Sequence, residues 1–167
     1  MIGSMTRREA VRMALVTAGA AIAAGFRTVA SGNAAQATQR APDPWTRAQT
    51  VEPADLVKEL DGPAATRPTV VCAGIATLYR AGHIPGASFH GPASSPAGLE
   101  DLKRWAEPLS RSTNLVVYCG CCPFDVCPNV RPAFAALRDM GFTHLRVLVM
   151  PTNFGPDWAA KNYPVER

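Results

Sequence analysis

An α/β fold built on a central, mostly parallel sheet of about five strands, with helices on both faces, is predicted by two observations. Short strand and helix signals alternate from residue 51 to residue 167, and the strand segments are continuously apolar rather than alternating. Thr69-Val70-Val71-Cys72 and Asn114-Leu115-Val116-Val117-Tyr118 show the second feature, and Leu145-Arg146-Val147-Leu148-Val149 continues the series. A strand that is apolar along its whole length must be covered on both sides.

The helices are bounded by recognisable signals. Pro53 suits a first helical position, Leu56, Val57 and Leu60 form an apolar stripe, and Asp61-Gly62-Pro63 stops it. Residues 75 to 81 read as a helical turn. Gly82-His83-Ile84-Pro85-Gly86-Ala87 is a turn-rich passage leading into an extended Ser88-Phe89-His90. Ser94 or Ser95 caps a helix with Pro96 at its start and Leu99, Leu102, Trp105 and Leu109 at helical spacing. Val130 to Met140 reads as a helix closed by Gly141.

The bulk composition supports one domain. A chain of 167 residues, 47% apolar and 18% charged, holds one core of ordinary size and is not disordered over most of its length. The net charge of +4 is unevenly placed: residues 1 to 37 carry four arginines against one glutamate, and the remainder is nearly neutral. No basic face for nucleic acid is expected.

Residues 1–37 read as an export signal. Thr6-Arg7-Arg8-Glu9-Ala10-Val11-Arg12 precedes an Ala/Val/Leu-rich run from Met13 to Phe26, and Ala35-Gln36-Ala37 offers small residues for a signal peptidase. The segment resembles a twin-arginine leader, which implies a periplasmic or otherwise extracytoplasmic location. The apolar run, of about 14 residues, is shorter than the roughly 20 a spanning helix needs, so no transmembrane span is expected in the mature protein. An uncleaved amphipathic anchor is the alternative. Residues 38–50 lack periodicity and read as a linker, leaving 51–167 as the domain.

Four of the five cysteines fall between Cys119 and Cys127, and Cys72 lies apart. A disulfide scaffold would spread its half-cystines to close long loops, so this cluster points to reactivity, metal binding or a local disulfide.

Gly82-His83-Ile84-Pro85-Gly86-Ala87 and Val116-Val117-Tyr118-Cys119 occur in the order and context of the rhodanese signature turn and of the strand that delivers the rhodanese catalytic cysteine. The stretch from Arg138 through the Leu145 strand to Asp157-Trp158-Ala159 and Tyr163-Pro164-Val165 is similar to that family's closing elements. Residues 52 to 167 therefore resemble a rhodanese-like domain. The resemblance implies a sulfurtransferase with no cofactor, a small anionic sulfur donor such as thiosulfate, and a thiol or cyanide acceptor. Two departures stand out. Cys72-Ala73-Gly74 occupies the place of a usual Asp-Val-Arg segment. The next arginine after Cys119 is Arg131, twelve residues on rather than five.

Sulfur transfer needs a nucleophilic thiolate, and the strand-end position makes Cys119 the candidate catalytic residue, its pKa expected to be lowered by the following helix. Gly120, Cys121 and Cys122 are candidate backbone donors to the bound anion, and Arg131 a candidate cation for the donor. Cys119 and Cys122 form a C-x-x-C, Cys121 or Cys122 is a candidate to pair with Cys127, and Cys72 is a candidate resolving thiol or a small buried hydrophobe. A thiol-disulfide oxidoreductase or a metal or sulfur carrier are the alternatives to a transferase. Structural zinc sites usually draw ligands from two separated segments, and a short loop with two prolines is a poor cage, so no metal site is expected. His83 is expected to be structural, as are Trp105 and Trp158.

Overall fold

The computed structural model describes residues 42–167. The expected leader, and the first four residues of the expected linker, lie outside them.

Five strands form one parallel sheet. In chain order they are β1 (Thr50–Val51), β2 (Thr69–Cys72), β3 (Ser88–Phe89), β4 (Leu115–Tyr118) and β5 (Leu145–Leu148). Their spatial order is β1-β5-β4-β2-β3, with every pairing parallel. The helices are α1 (Pro53–Asp61), α2 (Ala76–Ala81), α3 (Pro96–Ala106), α4 (Val130–Asp139) and the short α5 (Phe154–Asp157). Pro53 stands in the first turn of α1. Ser95 rather than Ser94 caps α3, its hydroxyl accepting from the Gly98 N–H at 3.1 Å.

The period-two geometry of a strand divides each apolar run between two cores. Val71, Leu115, Val117 and Val147 pack with Leu102 of α3 and Phe134 and Leu137 of α4. Val70, Cys72, Val116, Tyr118 and Leu148 face the other way, against Leu56 of α1, Ile84 and Trp158. Both faces are covered, which explains why β4 is buried at all four positions. Among the described residues no helix is long and apolar enough to cross a membrane.

Residues 42–50 are not a linker. Trp45 packs its ring 5.3 Å from that of Phe124 and 5.4 Å from that of Phe134, and Asp43 pairs with Arg131 at 2.8 Å. Thr50 and Val51 then add an edge strand to β5. A short stretch held by one aromatic, one ion pair and a two-residue strand pairing carries no periodicity that marks it in the sequence.

The signature turn is an anchor for the chain's last residues. The His83 ring stacks on Tyr79 at 3.8 Å, and His83 exchanges backbone hydrogen bonds with Glu166 at 2.9 and 3.0 Å. The Gly86 N–H donates to the Glu166 carboxylate at 2.8 Å. His83 is structural, as its place in a turn suggested.

Candidate functional site

Strand β4 lies in the middle of the sheet, and the chain leaves it at Cys119, on the edge where the strands' carboxyl ends gather. Gly120 follows with φ +74°, in the left-handed region that favours glycine. A side chain there would also meet Phe154, whose Cβ lies 3.0 Å from the position a Cβ would take. The turn sends the chain back across the sheet edge. Two backbone bonds pin it to the segment after β5: the Phe154 N–H donates to the Gly120 carbonyl at 3.0 Å, and the Phe124 N–H to the Met150 carbonyl at 3.1 Å. A single turn of 3-10 helix, Phe124–Val126, then returns Cys127 to the start of α4.

The loop thus closes on itself. The sulfurs of Cys119, Cys121, Cys122 and Cys127 all lie within 4.8 Å of one another. Cys119 Sγ is 2.9 Å from Cys121 Sγ, which is 3.1 Å from Cys122 Sγ. These separations exceed the about 2.05 Å of a disulfide, and all five cysteines are unpaired. The expectation of a poor cage fails on geometry, because folding the loop back between β4 and α4 supplies the convergence that two separated segments normally provide.

Asn129 organises the group. It is buried; its Oδ1 accepts from the Ser94 N–H at 3.0 Å, and its Nδ2 donates to Cys119 Sγ at 3.4 Å and to Cys121 Sγ at 3.7 Å. Sequence reasoning missed it. The only signal was an Asn at a helix start, which would ordinarily be read as a cap; here the side chain serves the sulfurs instead.

The electrostatics reverse one expectation. Cys127, not Cys119, is the thiol held low, at about 5: it accepts a hydrogen bond from the Cys119 thiol, and the Asn129 and Val130 N–H groups at the start of α4 reach its sulfur. Cys119 is pushed up, first because its thiol proton faces Cys127 and then by burial, although the Cys121 N–H favours its thiolate. Of the three expected backbone donors, Cys121 is the one reaching the Cys119 sulfur. Burial, with Cys121 beside it, raises Cys122 to about 12.

A cleft of about 450 Å³ opens over Cys119 and Cys121, walled by Tyr79, Tyr118 and Phe154, with Arg167 at its lining. Cys72 lines it too, but the Cys72 Sγ lies 3.7 Å from the Cys119 carbonyl oxygen, below the thiol group, and burial raises its pKa to about 11. It packs in the second core, in keeping with a small buried hydrophobe. Another depression of about 370 Å³, between Val57, Leu60 and Pro164, holds no thiol.

Arg131 does not face this cleft. Its guanidinium is held by Asp43 at 2.8 Å and by the carbonyls of Phe124 and Cys127 at 3.3 and 3.2 Å, and it stacks over Trp45 at 5.4 Å. It braces the loop from behind. The role expected for it as donor-holding cation is therefore corrected: its partner Asp43 lies 88 residues away in sequence and could not be foreseen.

No protein-family model matches the chain, and no curated protein matches it. Solved structures do. The chain is similar to the solution structure of a rhodanese-like domain from an Anabaena sp. protein, with 25% identity, a TM-score of 0.52, and 71% of this chain and 78% of that chain covered. A crystal structure of the same Anabaena protein matches at 25% identity with a TM-score of 0.51, covering 70% of this chain and 90% of that one. The fold is rhodanese-like.

Within this fold, the Cys72-Ala73-Gly74 segment has a structural consequence. A Cβ on Gly74 would stand 2.5 Å from the Cys119 carbonyl oxygen and 3.1 Å from Cys119 Sγ. The obstacle is backbone and cannot swing aside. Gly74→Ala is expected to lower stability by about 1–3 kcal/mol, read as a reduced urea midpoint at unchanged m. A loss below about 0.5 kcal/mol, the usual scatter of surface changes, would show that the loop yields freely and that Gly74 does not set its position.

Proposed function

We propose that this domain transfers sulfane sulfur through a persulfide on Cys119, and that it does so after export. The observation that carries this reading is the placement of Cys119: a thiol at the carboxyl end of the central strand, lining a cleft, with the Cys121 N–H and the Asn129 amide aimed at its sulfur. The likeness to rhodanese-like domains supports the same class of chemistry.

In the first step the Cys119 sulfur attacks the sulfane sulfur of thiosulfate, its proton leaving to solvent through the cleft it lines. The Cys119–S bond forms, the sulfur–sulfur bond of thiosulfate breaks, and sulfite leaves with the bonding pair. In the second step a thiolate or cyanide attacks the outer sulfur, and Cys119 departs as thiolate and regains its proton. Backbone and amide N–H groups around the loop stabilise the persulfide anion. With Arg131 turned away, Arg167 is the cation placed to meet an anionic donor in the cleft.

The test is intact-mass measurement of the reduced, metal-free chain after incubation with thiosulfate. A gain of one sulfur atom, reversed by cyanide with formation of thiocyanate, is expected. An unchanged mass would sink the proposal and favour a thiol oxidoreductase, which would instead show a reversible intramolecular disulfide.

A further inference from the structure

We infer that the Cys119, Cys121, Cys122 and Cys127 sulfurs form a binding site for one thiophilic d10 cation, Zn(II) or Cu(I). This goes beyond sulfur transfer and does not rest on it.

The first observation is convergence. Four sulfurs lie within 4.8 Å of one another on a loop of nine residues, with Cys119–Cys121 at 2.9 Å and Cys121–Cys122 at 3.1 Å. A tetrahedral Zn(II) site with Zn–S bonds of about 2.3 Å has sulfur–sulfur edges of about 3.8 Å, a value these separations bracket. Thiols that only pack, as buried cysteines usually do, have no reason to turn toward one point. An all-sulfur donor set selects soft cations over Mg(II) or Ca(II).

The second observation is the shell around the sulfurs. Metal-bound thiolates carry negative charge that the protein must offset, commonly with hydrogen-bond donors placed behind the ligands. Here the Asn129 Nδ2 donates to two of the sulfurs, at 3.4 and 3.7 Å, and is itself fixed through Oδ1 by the Ser94 N–H. The Cys121 N–H reaches Cys119, and the Asn129 and Val130 N–H groups at the start of α4 reach Cys127. Arg131, the nearest cation in sequence, is engaged by Asp43 and the loop carbonyls and does not compete for the thiolates. Cys121 and Cys122 are only half-buried, so an ion has a path in. Binding displaces the thiol protons to solvent and changes no oxidation state.

Loading the site and persulfide formation draw on the same Cys119 sulfur, so one chain cannot do both at once. The ion is then a cargo or a block on the nucleophile.

The experiment uses the full chain, reduced and stripped of metal with a chelator. It is titrated anaerobically with Zn(II) alone and separately with Cu(I) alone, with stoichiometry from native mass spectrometry and affinity from competition with a chromogenic chelator. One ion per chain is expected in at least one arm, and the tighter arm identifies the cation. Asn129→Ala should weaken binding by about 10- to 100-fold, as loss of an outer partner does. Cys121→Ser and Cys127→Ser should weaken it further, and Cys72→Ala, outside the cluster, should match the parent chain. Because Cys121 is half-buried, its serine variant keeps the fold, which circular dichroism verifies. Failure to retain either cation at one per chain would overturn the inference, as would parent-like binding by Cys121→Ser and Cys127→Ser. The thiosulfate mass gain is read on the metal-free chain, so sulfur transfer and metal binding fail or succeed independently.

Discussion

Cys119→Ser is expected to abolish sulfur uptake from thiosulfate, leaving the intact mass of the metal-free chain unchanged where the parent gains one sulfur atom. An alcohol is a far weaker nucleophile than a thiol toward sulfane sulfur, and a seryl oxygen cannot store the sulfur as a persulfide. The substitution replaces one atom by a slightly smaller one at a strand end, and Asn129 can still donate to it. The fold should therefore survive, with an unchanged far-ultraviolet dichroism spectrum. Cys72→Ala serves as the comparison, because its sulfur sits under the Cys119 carbonyl and apart from the other four thiols. It should still gain sulfur. Uptake by Cys119→Ser with the added mass mapped to Cys127 would move the nucleophile to the start of α4, where the lower-pKa thiol resides.

Trp158→Ala should produce the largest loss of stability, about 3–5 kcal/mol, the range for removing a fully buried aromatic. Trp158 is completely buried, its ring is stacked 6.1 Å from Phe154 and set edge-on at 5.4 Å to Tyr163, and its indole N–H donates to the Pro164 carbonyl at 2.8 Å. Removing it opens a cavity in the second core and leaves that carbonyl without its donor. The effect should extend to the site. Phe154 forms a wall of the thiol cleft and is packed against this ring. The check is a denaturant midpoint together with the rate of sulfur uptake: a fall in the midpoint is expected with a slower uptake. Parent-like stability would show that Tyr163 and Phe154 collapse into the space.

The fold was legible because its signals are local and repeated. Val70-Val71 and Leu115-Val116-Val117 announce strands covered on both faces, and Pro53, Ser95-Pro96 and Gly141 mark helix ends. The five-stranded parallel sheet follows from them. The edge strand Thr50–Val51 was not legible as a strand, since two residues carry no period and their pairing is with β5, almost a hundred positions on. Trp45 and Asp43 were misplaced with it for the same reason.

The site divides along the same line. The position of Cys119 is a property of its own neighbourhood: an apolar strand ends, a glycine turn begins, and a parallel sheet places that point at its ligand-binding edge. The sequence by itself determined that much, together with the class of fold. Only the tertiary structure decided where the other three thiols point, which of them is the more acidic, and that Arg131 faces Asp43 rather than the cleft. Those outcomes depend on Met150, Phe154, Ser94 and Asp43, groups from three separate segments that reach the loop only once the sheet has formed. An irregular loop has no periodicity of its own, so the direction of each sulfur is set by whichever distant groups hydrogen-bond its backbone.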